Sequence, residues 1–364
     1  QVMKFFEPIR NFYEKFERPI SSVALLGGFA LDMLTLRRVD ALFENLWMGS
    51  LILLVGMLLI LVQIEENKKK DEEDVSRTHF WYTNALQFFF GGVFSGYLVF
   101  YFRSSDIFTA WPFLVLLLVA FLGNEFLKKQ FARFSFQIGL FFLSIYLYVI
   151  FILPVYLYRV GDFVFLLSGA VSLGVMFGYI QLLFLANGRE IKQKKRFIFS
   201  VVLSIFGMVN LLYFTNLIPP IPLSLKDAGV FHSVIKKGEG SYEVIRENKN
   251  WREYFLPYDN FHRLPDESVY VWSAVFSPTG LDTVVIHQWQ YWDERAEEWL
   301  TESEIRLAVR GGRDRGFRTY SYRSDLEAGQ WRVNIQNARG QKLGHVRFKI
   351  IPVSSAPELT SAVK

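Results

Sequence analysis

The chain is 364 residues long, 51% hydrophobic and 17% aromatic, with only 21% charged residues, a composition that excludes an ordinary soluble protein and places much of the chain in lipid. The absence of cysteine excludes disulfides, thiol catalysis and cysteine-ligated metal. The net charge of +5 is mostly confined to the first part: residues 1–217 carry 20 basic against 16 acidic side chains and residues 218–364 carry 20 against 19, so no nucleic-acid partner is expected.

Residues 1–18 place Phe5, Phe6, Ile9, Phe12, Tyr13 and Phe16 on one helical stripe opposite Lys4, Glu7, Glu14 and Lys15. That pattern suits an amphipathic helix lying in the membrane interface; a helix running on into the first span, punctuated at Pro19, is the alternative. Seven apolar stretches follow within 19–217, at 19–36, 46–64, 84–102, 108–127, 135–158, 162–186 and 197–217. Each approaches the roughly 17–25 residues that cross a bilayer as a helix. No cleavable leader is read in the charged first 20 residues, so the first span is expected to act as the export signal.

With the N-terminus in the cytoplasm, the loops on that side hold 16 lysines and arginines and the opposite loops hold four, Arg37, Arg38, Arg103 and Arg159. The positive-inside rule then fixes the orientation. Seven spans place everything after 218 outside the cytoplasm.

Ionisable side chains inside spans are costly, and each is a candidate functional group. Asp32 lies near the outer end of the first span, and Arg37 and Arg38 follow within reach of a local ion pair. Asn124 and Glu125 lie near the inner end of the fourth, just before Lys128 and Lys129. The two carboxylates are too far apart across the membrane to form one acid–base site. Gly92 with Gly96, and Ala170, Gly174 and Gly178, are spaced for close helix contact.

Residues 218–268 read as a proline-containing linker and aromatic-rich connector, with Trp251, Tyr254, Phe255, Tyr258 and Phe261. From 269 to 353 the period changes to two. Six strands are expected, at 269–276, 283–292, 303–309, 317–323, 330–337 and 342–351, separated by glycine-containing turns. This spacing predicts an antiparallel, immunoglobulin-like β-sandwich, followed by a disordered tail over 354–364. The expected fold is thus a polytopic α-helical membrane bundle followed by an all-β domain.

Within the strands, His287, Trp289 and Tyr291 share one face and Gln288, Gln290 and Trp292 the other. The first set suits either a core or a sugar-stacking surface, with His287 and Trp289 as candidate ligand contacts. Arg310, Arg313, Arg315 and Arg318 either neutralise the acidic run over 282–304 or together face phosphate or carboxylate groups of envelope lipids or polymers. No catalytic constellation, cofactor motif or metal-ligand spacing emerges.

The segments His287-Gln-Trp, Gly316-Phe-Arg-Thr-Tyr-Ser, Gly329-Gln-Trp-Arg-Val, Gly340 and Leu343-Gly resemble the bacterial family known as domain of unknown function 2914. Gly28-Phe-Ala-Leu-Asp32, Thr35 to Asp40, Asn124-Glu125 and Asn216 to Lys226 are similar to the multi-span region that accompanies it in proteobacterial inner-membrane proteins. The resemblance implies a periplasmic β-sandwich on an inner-membrane anchor and supplies no activity. The expected function is binding or positioning an envelope partner, a protein or an anionic glycan or lipid. The alternative is a membrane enzyme or carrier for an envelope lipid or lipid-linked sugar, with Asp32, Arg37 and Arg38 at its outer mouth.

Overall fold

A computed structural model describes residues 26–36, 41–68, 77–104, 106–126, 134–248, 258–313 and 315–364. The expected interfacial helix over 1–18 and the residues Arg37, Arg38, Trp251, Tyr254 and Phe255 lie outside them. The helices are α1 (Leu26–Thr35), α2 (Leu42–Lys68), α3 (Arg77–Arg103), α4 (Ile107–Phe126), α5 (Phe134–Leu157) and α6 (Asp162–Phe214). Among the described residues, five segments are long and apolar enough to cross a membrane: Leu42–Glu65, Trp81–Arg103, Phe134–Leu157, Asp162–Ala186 and Ile191–Phe214. Leu26–Thr35 and Ile107–Gly123 are shorter apolar helices.

The last two expected spans form one unbroken helical run, α6, of 53 residues. Straight, it would measure about 80 Å. Its ends nevertheless meet: the rings of Phe165 and Tyr213 stack at 3.5 Å and the Tyr213 hydroxyl donates to Asp162 Oδ1 at 3.2 Å. The run therefore folds back on itself, and its two arms are the two spans read from hydropathy.

α5 is the core of the helical unit, 83% of its apolar window being buried. A membrane interior leaves backbone carbonyls as the natural partners of buried hydroxyls, and the tyrosines use them. Tyr97 and Tyr101 of α3 donate to the carbonyls of Ser144 and Leu147, Tyr148 to that of Asn45, and Tyr179 to that of Gly56. Of the small-residue series, Gly92 and Gly96 lie against Leu51 and Met48 of α2, whereas Gly174 and Gly178 face nothing within 4 Å.

The second compact unit holds Asn216–Lys364 together with Phe102–Trp111 and Pro154–Gly161. Its strands are β1 (Ser224–Phe231), β2 (Ser233–Lys236), β3 (Tyr242–Glu247), β4 (Asp259–Arg263), β5 (Val269–Phe276), β6 (Thr283–Asp293), β7 (Glu298–Val309), β8 (Phe317–Arg323), β9 (Gly329–Asn337), β10 (Lys342–Pro352) and β11 (Leu359–Val363). All six expected strands are present as β5 to β10. The linker and tail are corrected: 218–268 contributes four strands, and 359–363 pairs with β3 where a disordered tail was expected. The buried Ile218–Ser224 stem, with a cis Ile221–Pro222 bond, accepts at the Ile218 carbonyl a hydrogen bond of 3.1 Å from Gln341.

Three sheets result, ordered β1-β5-β8, β4-β10-β9-β6-β7 and β11-β3-β2, with β4 and β10 parallel. A purely antiparallel two-sheet sandwich is therefore corrected to a three-sheet arrangement. The reason lies in β5, VYVWSAVF, which is apolar on both faces and so fits the middle of a stack. Val269, Val271 and Val275 join Val285, Trp289, Val333, Ile335 and Phe348 of the five-stranded sheet in one core. Trp272 and Ala274, pointing the other way, pack with Phe231, Val234, Tyr242 and Val244.

Turn geometry is tight where β7 ends. A Cβ on Gly311 would lie 1.8 Å from the carbonyl oxygen of Pro278, so backbone must move to admit any side chain. Gly311→Ala is expected to cost about 2 kcal/mol or more, read as a lowered unfolding midpoint of the detergent-solubilised full chain.

Candidate functional site

Strand alternation sends neighbouring side chains to opposite faces, and the pairing decides which face becomes core. His287 and Trp289 are fully buried, the core arrangement of the two that the strand pattern left open. His287 lies between hydroxyls, with Nε2 2.8 Å from Ser273 Oγ and Nδ1 2.9 Å from Ser321 Oγ, and Trp289 Nε1 donates to Ser321 Oγ at 3.1 Å. Burial pushes the imidazole down to about 3. This hydroxyl–imidazole chain is buried between β5, β6 and β8.

Of the four arginines, Arg313 and Arg318 meet at Gly240. Arg310, Arg313 and Arg315 are exposed. Arg313 stacks 5.3 Å from the Phe317 ring, and Arg318 donates to the Gly240 carbonyl at 2.9 Å. In the spans, Asp32 Oδ2 accepts from Ser95 Oγ of α3 at 2.5 Å, a partner on another helix that the expected local pairing overlooked. Asn124 and Glu125 fall in the last turn of α4, their side chains outside the described set.

The opposite face of the five-stranded sheet gathers a polar array in which Gln290, Asn334 and Gln336 are buried and Gln288, Trp292 and Arg332 are partly exposed. Gln288 stands opposite Glu304 and Asn334, Gln290 opposite Thr301 and Arg332, and Trp292 opposite Trp299. Gln290 Oε1 accepts from Arg332 Nε and Nη2 at 3.1 and 2.6 Å and from Asn334 Nδ2 at 2.9 Å. Asn334 Nδ2 also donates to Gln288 Oε1 at 3.1 Å, and Gln288 Nε2 to Glu304 Oε1 at 2.8 Å. The Arg332 guanidinium lies 4.4 Å over Trp299, whose ring is 5.3 Å from Trp292.

Toward β10 this surface becomes cationic. Arg332 pairs directly opposite Arg347, and Lys342 is electrostatically coupled to both. Burial, then repulsion from Arg347, lowers the Arg332 guanidinium below its ordinary value, and burial followed by the Arg332 charge does the same to Lys342. Asp106 is the carboxylate that reaches them. Its Oδ1 is 3.5 Å from His345 Nδ1, and Arg347 lies 5.9 Å from the neighbouring Phe108 ring. Burial acts to raise the Asp106 carboxyl, but hydrogen bonding and charge from His345, with Thr109 and Lys342, hold it below its usual range.

Two buried atoms on this surface have no hydrogen-bond partner: Asn334 Oδ1, on a residue 1% exposed, and Arg347 Nε. An unmade buried hydrogen bond costs about 1–3 kcal/mol. This face therefore holds an unmet acceptor at Asn334 and an unmet donor at Arg347. Sequence periodicity had separated the Gln288, Gln290 and Trp292 set and the Arg332, Asn334 and Gln336 set. What it lacked was their juxtaposition through β6–β9 pairing and the approach of Asp106.

A second titratable cluster is structural. His232 lies between two carboxylates, Nδ1 2.6 Å from Glu267 Oε1 and Nε2 3.1 Å from Glu247 Oε1, while Glu247 Oε2 is 2.7 Å from His262 Nδ1. It joins the end of β3 to β4 and the turn that follows. Among the described residues no group of three or more His, Cys, Asp or Glu is placed to hold a metal ion.

Residues 282–350 match the family model described as protein of unknown function (DUF2914). The match runs from the start of β6 into β10 and contains every sheet residue of the polar surface. A search of the curated proteins finds no match. Among solved structures, a beta-glucosidase from Listeria innocua in complex with isofagomine is 10% identical over 32% of this chain, with TM-score 0.20. The same protein with gluconolactone is 11% identical over 31%, with TM-score 0.19. The chain spans 17% of the length of either. The Pseudomonas fluorescens alkylpurine DNA glycosylase AlkC bound to DNA containing an abasic site analog is 10% identical over 86% of this chain and 99% of its own, with TM-score 0.19. Likenesses this weak carry no argument about fold or function.

Proposed function

We propose that the chain is a bacterial inner-membrane protein, N-terminus cytoplasmic, whose periplasmic β-domain binds an anionic envelope partner without transforming it. One observation carries this reading: Arg332 stands directly opposite Arg347, with Lys342 coupled to both. Like charges facing each other across strands destabilise a sheet, and a bound anion removes that penalty. The orientation is supported by the basic-residue asymmetry of the loops. It is also supported by the grouping of Phe102–Trp111 and Pro154–Gly161, connections expected on the outer side, with Asn216–Lys364. An immunoglobulin-like relation is supported by the core that β1-β5-β8 and the five-stranded sheet share. The exposed Arg310, Arg313 and Arg315 act as auxiliary contacts for an extended partner.

The test is purification of the full chain in mild detergent, with mass spectrometry of every protein, lipid and glycan retained. Wild type is expected to hold a stoichiometric companion, and the Arg332→Gln/Arg347→Gln double variant about tenfold less. Equal retention by both defeats the proposed site. A lipid or lipid-linked sugar retained by both but released by Asp32→Asn transfers function to the spans, where Asp32 meets Ser95.

A further inference from the structure

Resting on the anion-binding reading above, the chemistry of this surface narrows the ligand further. A sulfate or halide ion satisfies donors only. Arg332, Arg347 and Lys342 are such donors, each half-buried on a long side chain. Asn334 Oδ1 is different, being a buried acceptor without a partner. Both bonds from Asn334 Nδ2 run toward Gln288 and Gln290 of β6, which leaves Oδ1 on the side of β10, where His345 stands opposite. A ligand that completes the site therefore brings an anionic group and an O–H or N–H donor within one residue's length.

The third component is aromatic. Trp292 and Trp299 form a cross-strand pair on the same face, both partly exposed, next to the amide ladder. Amide side chains alternate donors and acceptors as sugar hydroxyls do, and the apolar ring face of tryptophan suits the C–H face of a pyranose.

We propose that the outward face of the five-stranded sheet is a binding site for an acidic carbohydrate. Its carboxylate or phosphate lies among Arg332, Arg347 and Lys342, a ring hydroxyl donates to Asn334 Oδ1, and an adjoining ring lies against Trp292. The acidic sugar belongs either to a free polymer or to a lipid-linked one, since the contacts described involve the sugar alone.

Binding to the full chain in nanodiscs of zwitterionic lipid would be measured by calorimetry for trigalacturonic acid, glucose 6-phosphate, maltotriose, inorganic phosphate and tri-glutamate. An acidic sugar is expected to bind roughly tenfold or more tighter than maltotriose, phosphate and tri-glutamate, and Arg347→Gln to remove that advantage. Relief of the Arg332–Arg347 repulsion leaves Arg347→Gln folded at least as stably as wild type, so loss of binding is not loss of fold. Trp292→Ala is expected to weaken trigalacturonic acid about threefold to tenfold and leave phosphate unchanged. Tri-glutamate or phosphate binding as tightly as the acidic sugars overturns the carbohydrate assignment and spares the anion-binding reading. Failure of every probe overturns the carbohydrate assignment, and companion retention by Arg332→Gln/Arg347→Gln then decides the broader reading separately. Lipid-linked sugar recovered with the wild-type protein identifies the lipid-bound source, and free oligosaccharide the other.

Discussion

Trp289→Ala is expected to remove about 3–5 kcal/mol of β-domain stability, a large share of the roughly 5–15 kcal/mol that holds a typical domain folded. Trp289 is 0% exposed. Its ring meets Phe348 edge-on at 6.2 Å, Val333 stands opposite it in the sheet, and its indole N–H donates to Ser321. Truncation opens a cavity at the junction of two sheets and deprives Ser321 of one of its partners, so the lost packing and the lost hydrogen bond add. Trp292→Ala, three residues along and on the outward face, is the internal control and is expected to cost less than about 1 kcal/mol. Thermal unfolding of the full chain, followed through tryptophan emission, measures both. Similar midpoints for the two variants would show that Trp289 is not a core residue.

That pair of tryptophans also shows where sequence reading stops. Alternation separated His287, Trp289 and Tyr291 from Gln288, Gln290 and Trp292, because a strand has period two. Which set turns inward depends on the partner sheet, and β8 supplies it by placing Ser321 within reach of His287. Both faces carry a tryptophan, so hydrophobicity alone does not choose.

The strands β5 to β10 were legible because apolar residues recur at every second position, as in Trp331, Val333 and Ile335, all buried. β1, SLKDAGVF, has mostly half-buried side chains and no such recurrence. β11 exposes Leu359 and Val363 and gains its order from backbone pairing with β3. In the helices, hydropathy marked both arms of α6 by the polar stretch between them. It does not report whether the helix breaks there, since lysine, glutamine and arginine are good helix formers. The cationic end of the candidate site was the least accessible to sequence. Asp106 and His345 belong to distant segments, and their approach follows from tertiary packing.

Acidification from about pH 7 to about pH 4 is expected to cost the β-domain about 3 kcal/mol through His287 alone. Burial holds its folded pKa near 3 against 6.5 for an exposed imidazole. Below about pH 6.5 the unfolded chain therefore binds a proton that the folded chain refuses, and stability falls with pH until about 3. Glu247 adds to this limb. Burial acts to raise its carboxyl, but hydrogen bonds from His232 and His262 outweigh that and bring it from 4.5 down to about 2. Its contribution is complete above about pH 4.5 and disappears as pH falls toward 2. His232 acts in the opposite direction. Burial lowers its pKa, but the bonds and charges of Glu247 and Glu267 prevail and raise it above 6.5. Its contribution is complete below about pH 6.5 and is lost as pH rises through the elevated folded value. Stability is therefore expected to peak near neutrality, with two limbs of different origin. His287→Asn keeps one donor and one acceptor for Ser273 and Ser321, and is expected to flatten the limb between about pH 6.5 and 4.5 and to leave only the Glu247 part of the fall below it. Glu267→Gln is expected to flatten the alkaline limb alone. Unfolding midpoints of the full chain across this range, read as slopes against pH, test both assignments. An unchanged acid slope in His287→Asn would place the titrating group elsewhere, because no protonation of the substituted side chain is available to reproduce it.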